Sequence, residues 1–247
     1  MKKKKATVAV VTPASGNPLI SDCIRSLDEQ TYPVTHYIFY DGIVSPERFA
    51  TYNRIHSGPK RHCAYWPARI NSDGVHKEFL AARRIYAASP YLINEDYICF
   101  LNEDDWFKPD HVESLITLIQ KDDLDWAHCL RSVYDKQGNY LFDDNCESLG
   151  KHAVWNQEGS HLVESCSYMV RTDVMCKMAG VNNYRDFGPD RVMYAMLAQM
   201  HPKFDCTGKH TMCFRLGGNE GSVTKEFFEI GNSFMRQAYP NGFPWVK

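Results

Sequence analysis

Carboxylates that directly follow an apolar segment are the residues of this sequence best suited to chemistry. The apolar residues 97–101 lead into Asn102, Glu103, Asp104 and Asp105. Mg²⁺ and Mn²⁺ prefer such oxygen ligands and are commonly held by one or two protein carboxylates together with substrate phosphates and water. The pattern predicts a cation site for a nucleotide ligand. The alternative is an acidic turn that only caps the next helix.

Composition limits the class of protein. The chain has 247 residues, 44% of them hydrophobic, which is enough for a sizeable core. Its formal net charge of -2 argues against a nucleic-acid partner, and no apolar segment approaches the roughly 20 residues of a transmembrane helix. Nine cysteines without a Cys-x-x-Cys pair favour a reducing compartment. We therefore expect a cytoplasmic protein, and peripheral contact with the inner face of the membrane stays open.

Alternating patterns in the first half predict an α/β fold. Strand patterns occur at residues 7–12, 37–40, 62–65 and 97–101, and helix patterns at about 20–27, 47–55, 75–88 and 112–119. Repeated βα units produce a mainly parallel sheet covered by helices, with ligands bound at the carboxyl ends of the strands. Thr12, Pro13, Asp41 and the acidic segment, residues 102–105, all follow such ends. We expect them to meet in one crevice.

The second half is predicted to be less regular. Strands are predicted near residues 126–134, 140–142, 166–171 and 210–216, with helices at 172–178, 188–200 and 225–238. The turn-rich residues 135–139 suit a hairpin between the first two of these strands. The sequence contains no glycine-rich phosphate loop, so a metal and side chains must meet any phosphate charge. No linker divides the halves, and we expect one domain over residues 1–247.

Several motifs resemble successive landmarks of one enzyme family. They are residues 8–13, 26–33, 40–42, 100–110 and 167–171, with Asp190 further on. Their order and spacing are similar to those of the inverting family 2 glycosyltransferases with a GT-A fold. The resemblance implies a Rossmann-like α/β domain with a mixed, mainly parallel central sheet flanked by helices. It also implies a nucleotide-sugar-binding half at about 6–110, an acceptor-binding half at about 111–220 and a C-terminal helix and tail at 221–247.

The resemblance implies a cation, Mn²⁺ or Mg²⁺, at the acidic segment. Asp104 matches the metal-binding carboxylate of the family. Asn102 stands where the family usually has the first Asp of an Asp-x-Asp motif, and an amide supplies an oxygen but no charge. Asp105 completes the expected metal-binding set, and Glu103 is expected beside the nucleotide. Either of these two carboxylates could compensate for Asn102.

The resemblance also implies the nucleotide contacts. Asp41 would accept a hydrogen bond from the base, and Thr12 and Pro13 would form the wall beside the nucleoside. Lys77 and Arg83 could reach the diphosphate, although a solvated helix face is an equal alternative. Other residues with a possible diphosphate role are Arg69, Arg84, His210, Arg215 and Ser222.

Inverting transfer is a single displacement at the anomeric carbon, so a carboxylate must take the proton of the attacking hydroxyl. Asp190 matches the position of the family's base, and Asp186 is a nearby alternative. An Asp after Pro at a helix start can also be only a stabilising first-turn residue, whose pKa the helix N-terminus lowers. Trp106 is expected to stack on a sugar, and Glu164 and Ser165 are expected to line the acceptor cleft. A core tryptophan and a strand-edge carboxylate are the alternatives.

The combined interpretation is a metal-dependent inverting glycosyltransferase. It would move a sugar from a nucleoside-diphosphate sugar, first of all a UDP-sugar, to a glycan or another hydroxyl acceptor, in polysaccharide or glycoconjugate biosynthesis. A noncatalytic nucleotide-sugar or glycan-binding module on the same fold is the alternative. A nucleotidyltransferase is a third interpretation, but residues 15–17 poorly replace the basic, glycine-rich first loop of that class.

Overall fold

The computed structural model describes residues 5–41, 45–66, 77–156, 160–178, 180, 189–217 and 223–247. The strands are β1 (Val8–Ala14), β2 (Thr35–Asp41), β3 (Arg61–Trp66), β4 (Tyr97–Phe100), β5 (Trp106–Phe107), β6 (Trp126–Tyr134), β7 (Tyr140–Asp143), β8 (Tyr168–Arg171) and β9 (Phe204–Arg215). The helices are α1 (Ile20–Asp28), α2 (Pro46–His56), α3 (Lys77–Ala88), α4 (His111–Asp122), α5 (Thr172–Met178), α6 (Pro189–Met200) and α7 (Lys225–Ala238). Strands and helices alternate from β1 to β4, as the sequence predicts.

The strands form one mixed sheet in the order β3-β2-β1-β4-β8-β6-β9-β5, with β7 paired to β6. The first four strands of this order are parallel. Antiparallel pairing begins where β8 joins β4, and β7 and β5 also pair antiparallel with their neighbours. The expected α/β fold is confirmed, but the sheet is parallel mainly in its first half. The tight turn between β6 and β7 makes a hairpin, which requires antiparallel strands.

Apolar side chains cover both faces of the sheet. Successive strand residues point to opposite faces, and β1 accordingly places Val8 and Val10 in one buried cluster and Ala9 and Val11 in another. The first cluster is covered by buried residues of α1 and α4 that recur at helical spacing: Cys23, Leu27, Val112, Leu115, Ile116 and Ile119. This amphipathic spacing is what the sequence predicts, and it fixes the helices over the sheet.

The later element boundaries differ from the sequence prediction in three places. β9 starts at Phe204, six residues before the predicted strand, because Gly208 (φ 71°) interrupts the alternation of its side chains. Cys166 lies in a short 3-10 helix and not in β8. β5 was not predicted, since two residues carry no periodicity. Helices α5 and α7 have the predicted bounds.

All nine cysteines are free thiols, and most of them are buried. This agrees with their interpretation as small core residues. Among the residues that the structure describes, no helix has the length and apolar character required to cross a membrane.

Candidate active site

At β4 the parallel part of the sheet meets the first antiparallel pair. On one side, β1 runs parallel to β4 with Val11 opposite Phe100. On the other side, β8 runs antiparallel with Val170 opposite Ile98. The acidic segment therefore lies between the loop after β1 and the chain that leads into β8. This is the convergence that the sequence predicts for the strand ends.

Glu103 holds the loop between β1 and α1. Its carboxylate accepts hydrogen bonds from the Ser15 backbone N–H at 2.8 Å, the Ser15 hydroxyl and the Asn17 backbone N–H at 3.1 Å. Burial raises the pKa of Glu103, although the Ser15 and Asn17 donors lower it. Both carboxylate oxygens are engaged by the protein. Glu103 thus shapes the loop beside the site, and its expected nucleotide contact stays a prediction.

Asp105 and Asn102 bind each other and the surrounding protein. Asp105 accepts the Arg215 backbone N–H at 2.8 Å and the Asn102 side-chain amide at 3.2 Å, while the Asn102 carbonyl oxygen accepts the Tyr86 hydroxyl at 2.7 Å. Burial and the neighbouring Asp104 raise the pKa of Asp105 well above its usual range. These bonds disfavour the expected metal-ligand roles of Asn102 and Asp105. An amide at position 102 supplies a donor that a carboxylate could not.

Asp104 stays the best candidate for a direct cation ligand. It is 4% exposed, and burial raises its pKa while a bond to its own backbone and the charge of Arg215 lower it. Over the described residues, no group of three or more His, Cys, Asp or Glu side chains is arranged to hold a metal. A single carboxylate can hold Mg²⁺ when substrate phosphates and water complete its ligands.

Arg215, at the end of β9, ties several elements to the acidic segment. Its guanidinium donates to the Asp22 carboxylate at 2.7 Å, the Asp104 carbonyl at 2.9 Å and the Lys136 carbonyl at 3.1 Å. It also lies 4.6 Å from the centre of the Trp106 ring. The family resemblance implies only that Arg215 belongs to a late segment near the diphosphate. Because the side chain is 3% exposed and its donors are committed to protein groups, its role is structural.

Trp106 is half-buried beside this arginine. Its ring centre is 4.6 Å from that of Tyr134. The side chain therefore belongs partly to the packing between β5 and β6, and partly to the surface next to the acidic segment. Stacking on a sugar stays a prediction.

The predicted acceptor-side residues come together. Glu164 is 8% exposed and accepts the Cys166 backbone N–H at 2.9 Å. The Ser165 hydroxyl donates to the other Glu164 oxygen at 3.3 Å, and the pKa of Glu164 is raised by burial and by the charge of Asp190, in the first turn of α6. Tyr86 links this group to the acidic segment, since its hydroxyl donates to Asn102 at 2.7 Å, while burial first and then the nearby Cys166, Glu164 and Asp190 raise its pKa.

The pKa of Asp190 differs from the expectation. Burial raises it, and the hydrogen bond from Ser165 and the charge of Arg131 lower it only in part. The helix N-terminus thus does not determine the pKa of Asp190, because the cost of removing the carboxylate from water exceeds the stabilisation by the partial charge of the helix. Burial and Asp190 raise the pKa of Glu164 to about 7, against the charge of Arg131.

Thr12 and Pro13 are buried within β1. The Thr12 hydroxyl lies 2.9 Å from Nε2 of His36 and 3.6 Å from the sulfur of Cys23. Thr12 has no exposed surface. The side chain of Thr12 therefore packs inside the protein, and the wall that Thr12 and Pro13 are expected to form beside the nucleoside stays a prediction.

The other expected nucleotide contacts are only partly described. Asp41 is the last residue of β2 and pairs in register with Trp66, so its backbone lies at the predicted strand end. Lys77 is the first residue of α3. Arg83 is half-buried on α3 and its charge lowers the pKa of Asp190, which indicates a position on the acceptor side. The remaining candidates outside the described residues are Arg69, Asp186 and Ser222.

Residues 86–174 match the family model described as Glycosyl transferase family 2. This range contains the end of α3, the acidic segment, β6 and β8. A search of curated proteins gives no match.

Several solved structures of TarS from S. aureus are similar to the chain. TarS 1-349 is 12% identical with a TM-score of 0.59, over 85% of this chain and 60% of that one. Its complex with UDP-GlcNAc is 13% identical with a TM-score of 0.58, over 94% and 65% of the two chains. Its complex with UDP is 12% identical with a TM-score of 0.55, over 96% and 66%.

The chain thus spans 60 to 66% of the length of these TarS 1-349 structures. At such low identity the similarity shows the fold. It confirms the GT-A-type fold that the sequence motifs indicate, and the family model matches the part of the chain from residue 86 to 174.

Proposed function

We propose that this chain, which carries the glycosyl transferase family 2 segment on a GT-A-type fold, is an inverting glycosyltransferase. It moves a sugar from a nucleoside-diphosphate sugar to a hydroxyl acceptor. The observation that carries the proposal is the position of the acidic segment at the carboxyl end of β4, beside the chain that leads from Glu164 and Ser165 into β8, where the charge of Asp190 acts on Glu164. The complexes of TarS with UDP-GlcNAc and UDP support a UDP-sugar as the first donor to test.

On the donor side, Asp104 would hold Mn²⁺ or Mg²⁺ together with the diphosphate. When bound, the cation neutralises the charge that develops on the leaving diphosphate. The loop that Glu103 holds would lie beside the nucleotide, and Asp41 would accept a hydrogen bond from the base. Lys77 would contribute positive charge near the phosphates. We retain residues of about 6–110 as the donor half and 111–220 as the acceptor half.

On the acceptor side, Asp190 would act as the base. The acceptor oxygen attacks the anomeric carbon, its proton passes to the Asp190 carboxylate, and the bond from the anomeric carbon to the diphosphate oxygen breaks. The configuration is inverted because the attack is a single displacement. The raised pKa of Asp190 favours this role, since a carboxylate with a higher pKa is a stronger base.

We place this reaction in polysaccharide or glycoconjugate biosynthesis, with a glycan or another hydroxyl compound as the acceptor. The free cysteines suit a reducing, cytoplasmic compartment. Peripheral contact with the inner face of the membrane would bring the enzyme to a lipid-linked acceptor.

Two assays test the proposal. Thermal shift with UDP, GDP and TDP, each with and without Mn²⁺, should show stabilisation by a nucleotide that increases with the metal. Slow hydrolysis of a donor sugar should depend on the metal, and Asp190→Asn should lower it by a factor on the order of 10²–10⁴ without loss of nucleotide binding. Equal hydrolysis by Asp190→Asn and wild type would refute the role of Asp190.

The second candidate is a noncatalytic nucleotide-sugar-binding module. It is favoured by the commitment of Asn102 and Asp105 to protein hydrogen bonds. Nucleotide-dependent stabilisation of the wild type, without donor hydrolysis in a panel of nucleotide sugars, would support this candidate over the enzyme.

A further inference from the structure

Asn232 joins the C-terminal helix α7 to the chain that follows β7. It is 3% exposed. Its side-chain nitrogen donates to the Asp143 carbonyl at 2.9 Å, and its side-chain oxygen accepts the Asn145 backbone N–H at 2.8 Å. These two peptide groups lie on either side of Asp144 along the chain. Asn232 therefore fixes the backbone around Asp144 with both ends of one amide.

Asp144 organises the turn at residues 144–148. It is fully buried, and its carboxylate accepts the backbone N–H groups of Cys146 at 2.9 Å, Glu147 at 3.0 Å and Ser148 at 3.1 Å. The buried guanidinium of Arg131 donates to the same carboxylate at 2.7 Å. Hydrogen bonds to an ionised group are stronger than those between neutral groups. The position of Ser148 is thus tied to that of Asp144.

Ser148 connects this turn to Glu164. It is fully buried, and its hydroxyl oxygen accepts the Glu164 backbone N–H at 2.9 Å. Two residues further on, the Gly150 N–H donates to the Leu162 carbonyl at 2.9 Å. These bonds hold the turn and the residues after it against the chain that leads to Glu164. The backbone of Glu164 is therefore placed by Ser148.

The C-terminal residues contact the same turn at two further points. The Trp245 indole N–H donates to the Asn145 side-chain oxygen at 2.9 Å, and Trp245 is 2% exposed. The Arg131 guanidinium lies 5.2 Å from the centre of the Phe228 ring on α7. Residues 225–247 thus pack on the turn that holds Glu164, although they lie outside the range 86–174 of the family model.

We propose that Asn232 positions Glu164, and with it the acceptor side, through the hydrogen-bond network of Asn232, Asp144, Ser148 and the Glu164 backbone. Asparagine suits the position because one amide supplies both a donor and an acceptor. The network belongs to the free protein, whereas its effect on transfer rests on the proposed function. Asn232 is a positioning residue, because it acts on the reaction through Glu164.

Amide hydrogen exchange tests the network in the free protein, without substrate or metal. Asn232→Leu removes both amide hydrogen bonds at similar side-chain volume. Exchange at the Asn145, Ser148 and Glu164 amides should then rise roughly 3–10-fold more than exchange at the amides of β1, because a lost hydrogen bond makes local opening easier. Asn232→Ala loses the same bonds and provides the test if leucine prevents folding.

Ser148→Ala removes only the last bond of the network. Exchange should rise at Glu164 and stay at the wild-type rate at Asn145, because the hydrogen bonds of Asn232 remain. A rise at Asn145 in Asn232→Leu with no change at Glu164 would overturn the proposal, because the effect of α7 would then end at the turn.

Met235→Ala is the matched control on α7. Met235 is 3% exposed and packs in the apolar cluster that contains Phe228 and Trp245, so its truncation weakens the same helix without removing a bond of the network. Its effect on exchange should be no larger at Glu164 than at β1. A selective rise at Glu164 as large as that in Asn232→Leu would show that general loosening of α7 explains the effect, and the proposal would be wrong.

Donor hydrolysis gives the second readout. Asn232→Leu and Ser148→Ala should lower kcat by up to a factor of about 10², because a displaced group at the site is poorly aligned for the reaction. The donor KM and the stabilisation by UDP with Mn²⁺ should keep their wild-type values, since the acidic segment is not part of the network. Met235→Ala should keep the wild-type kcat. An equal fall of kcat in all three variants would refute the positioning role.

Two outcomes separate this proposal from the proposed function. If exchange at Glu164 rises selectively in Asn232→Leu but the wild type hydrolyses no donor, the network is real and the transferase function fails. If the wild type hydrolyses a donor and Asn232→Leu does so at the same rate, the transferase function stands and the positioning role of Asn232 is wrong. Circular dichroism of each variant identifies any loss of folding.

Discussion

The backbone N–H of Arg215 donates a 2.8 Å hydrogen bond to the buried carboxylate of Asp105, although the two residues are 110 positions apart. The guanidinium of the same arginine binds the Asp104 carbonyl and the Asp22 carboxylate. The end of β9 therefore holds both the acidic segment and α1. Arg215, which contacts neither substrate in our proposal, thus determines the geometry of the proposed cation site at Asp104.

Arg215→Met should be destabilising, by roughly 1–3 kcal/mol, because it removes the donor to the carbonyl oxygens of Asp104 and Lys136 and one partner of Asp22. The chain offers a matched control, since Arg25 also binds Asp22 at 2.7 Å but is 67% exposed. Arg25→Met should cost less than about 1 kcal/mol. Urea unfolding measures both changes. Similar losses in the two variants would contradict the structural role of Arg215.

Asn102→Asp tests the hydrogen bonds of the acidic segment. The substitution removes the amide that donates to Asp105 and adds a third carboxylate beside Asp104 and Asp105. Without metal, Tm at pH 7 should fall, because the like charges repel. With Mn²⁺, Tm should rise more than in the wild type, because the added carboxylate can bind the cation.

Asn94→Asp is the control for this change, since Asn94 is exposed and lies before β4. It adds the same charge and should leave the response of Tm to Mn²⁺ as it is in the wild type. An Asn102→Asp variant whose response to Mn²⁺ equals that of the control would speak against a cation at the acidic segment.

Gly231→Ala tests the packing of α7. Alanine normally stabilises a helix interior relative to glycine by roughly 0.5–1 kcal/mol. Here a Cβ at position 231 would lie 2.6 Å from the Trp155 ring and 2.7 Å from the Cys146 sulfur, so we expect destabilisation instead. Gly58→Ala is the comparison, because a Cβ there meets nothing within 4 Å. Thermal unfolding shows whether Tm falls or rises in each variant. A higher Tm for Gly231→Ala would show that α7 packs differently.

His36 should make stability depend on pH. Burial, with the charge of Arg61 adding to it, lowers its pKa from 6.5 to about 3. Between these values the unfolded chain binds more protons, so stability falls as the pH decreases below 6.5. The cost approaches about 1.4 kcal/mol per pH unit.

His36→Gln removes this titration. The destabilisation that the variant shows near pH 7 should therefore become smaller by about 1 kcal/mol when the pH is lowered from 6.5 to 5.5. Urea unfolding at a series of pH values measures it. A difference between variant and wild type that does not change with pH would mean that His36 is protonated in the folded protein.

The repetitive part of the fold could be predicted from the sequence. Helices α5 and α7 have their predicted bounds, and β1, β2 and β4 lie where apolar strand patterns end in polar residues. Periodicity succeeds here because each element buries one regular face. The acceptor-side roles of Asp190, Glu164 and Ser165 came from the family resemblance and not from periodicity, and they stay predictions.

The sequence could not show hydrogen-bond partners that are distant along the chain. Thr12 bonds to His36, and Glu103 bonds to Ser15, so neither has the free side chain that a strand-end residue suggests. No local pattern reveals such partners. The pKa of Asp190 was expected to fall on the basis of its helix position, but burial by other elements raises it. The desolvation of a side chain depends on the tertiary structure, and no periodic pattern in the sequence reveals it.

The reversal of direction at β4 has a consequence for engineering. On one side of β4, the neighbouring strand β1 is parallel to it and ends at the same edge of the sheet. On the other side, β8 is antiparallel and begins at the edge where β4 ends. The loops that would choose the nucleotide and those that would choose the recipient therefore belong to different flanks of a single strand. A laboratory could diversify one set of loops while the other keeps its sequence, and so change one specificity at a time.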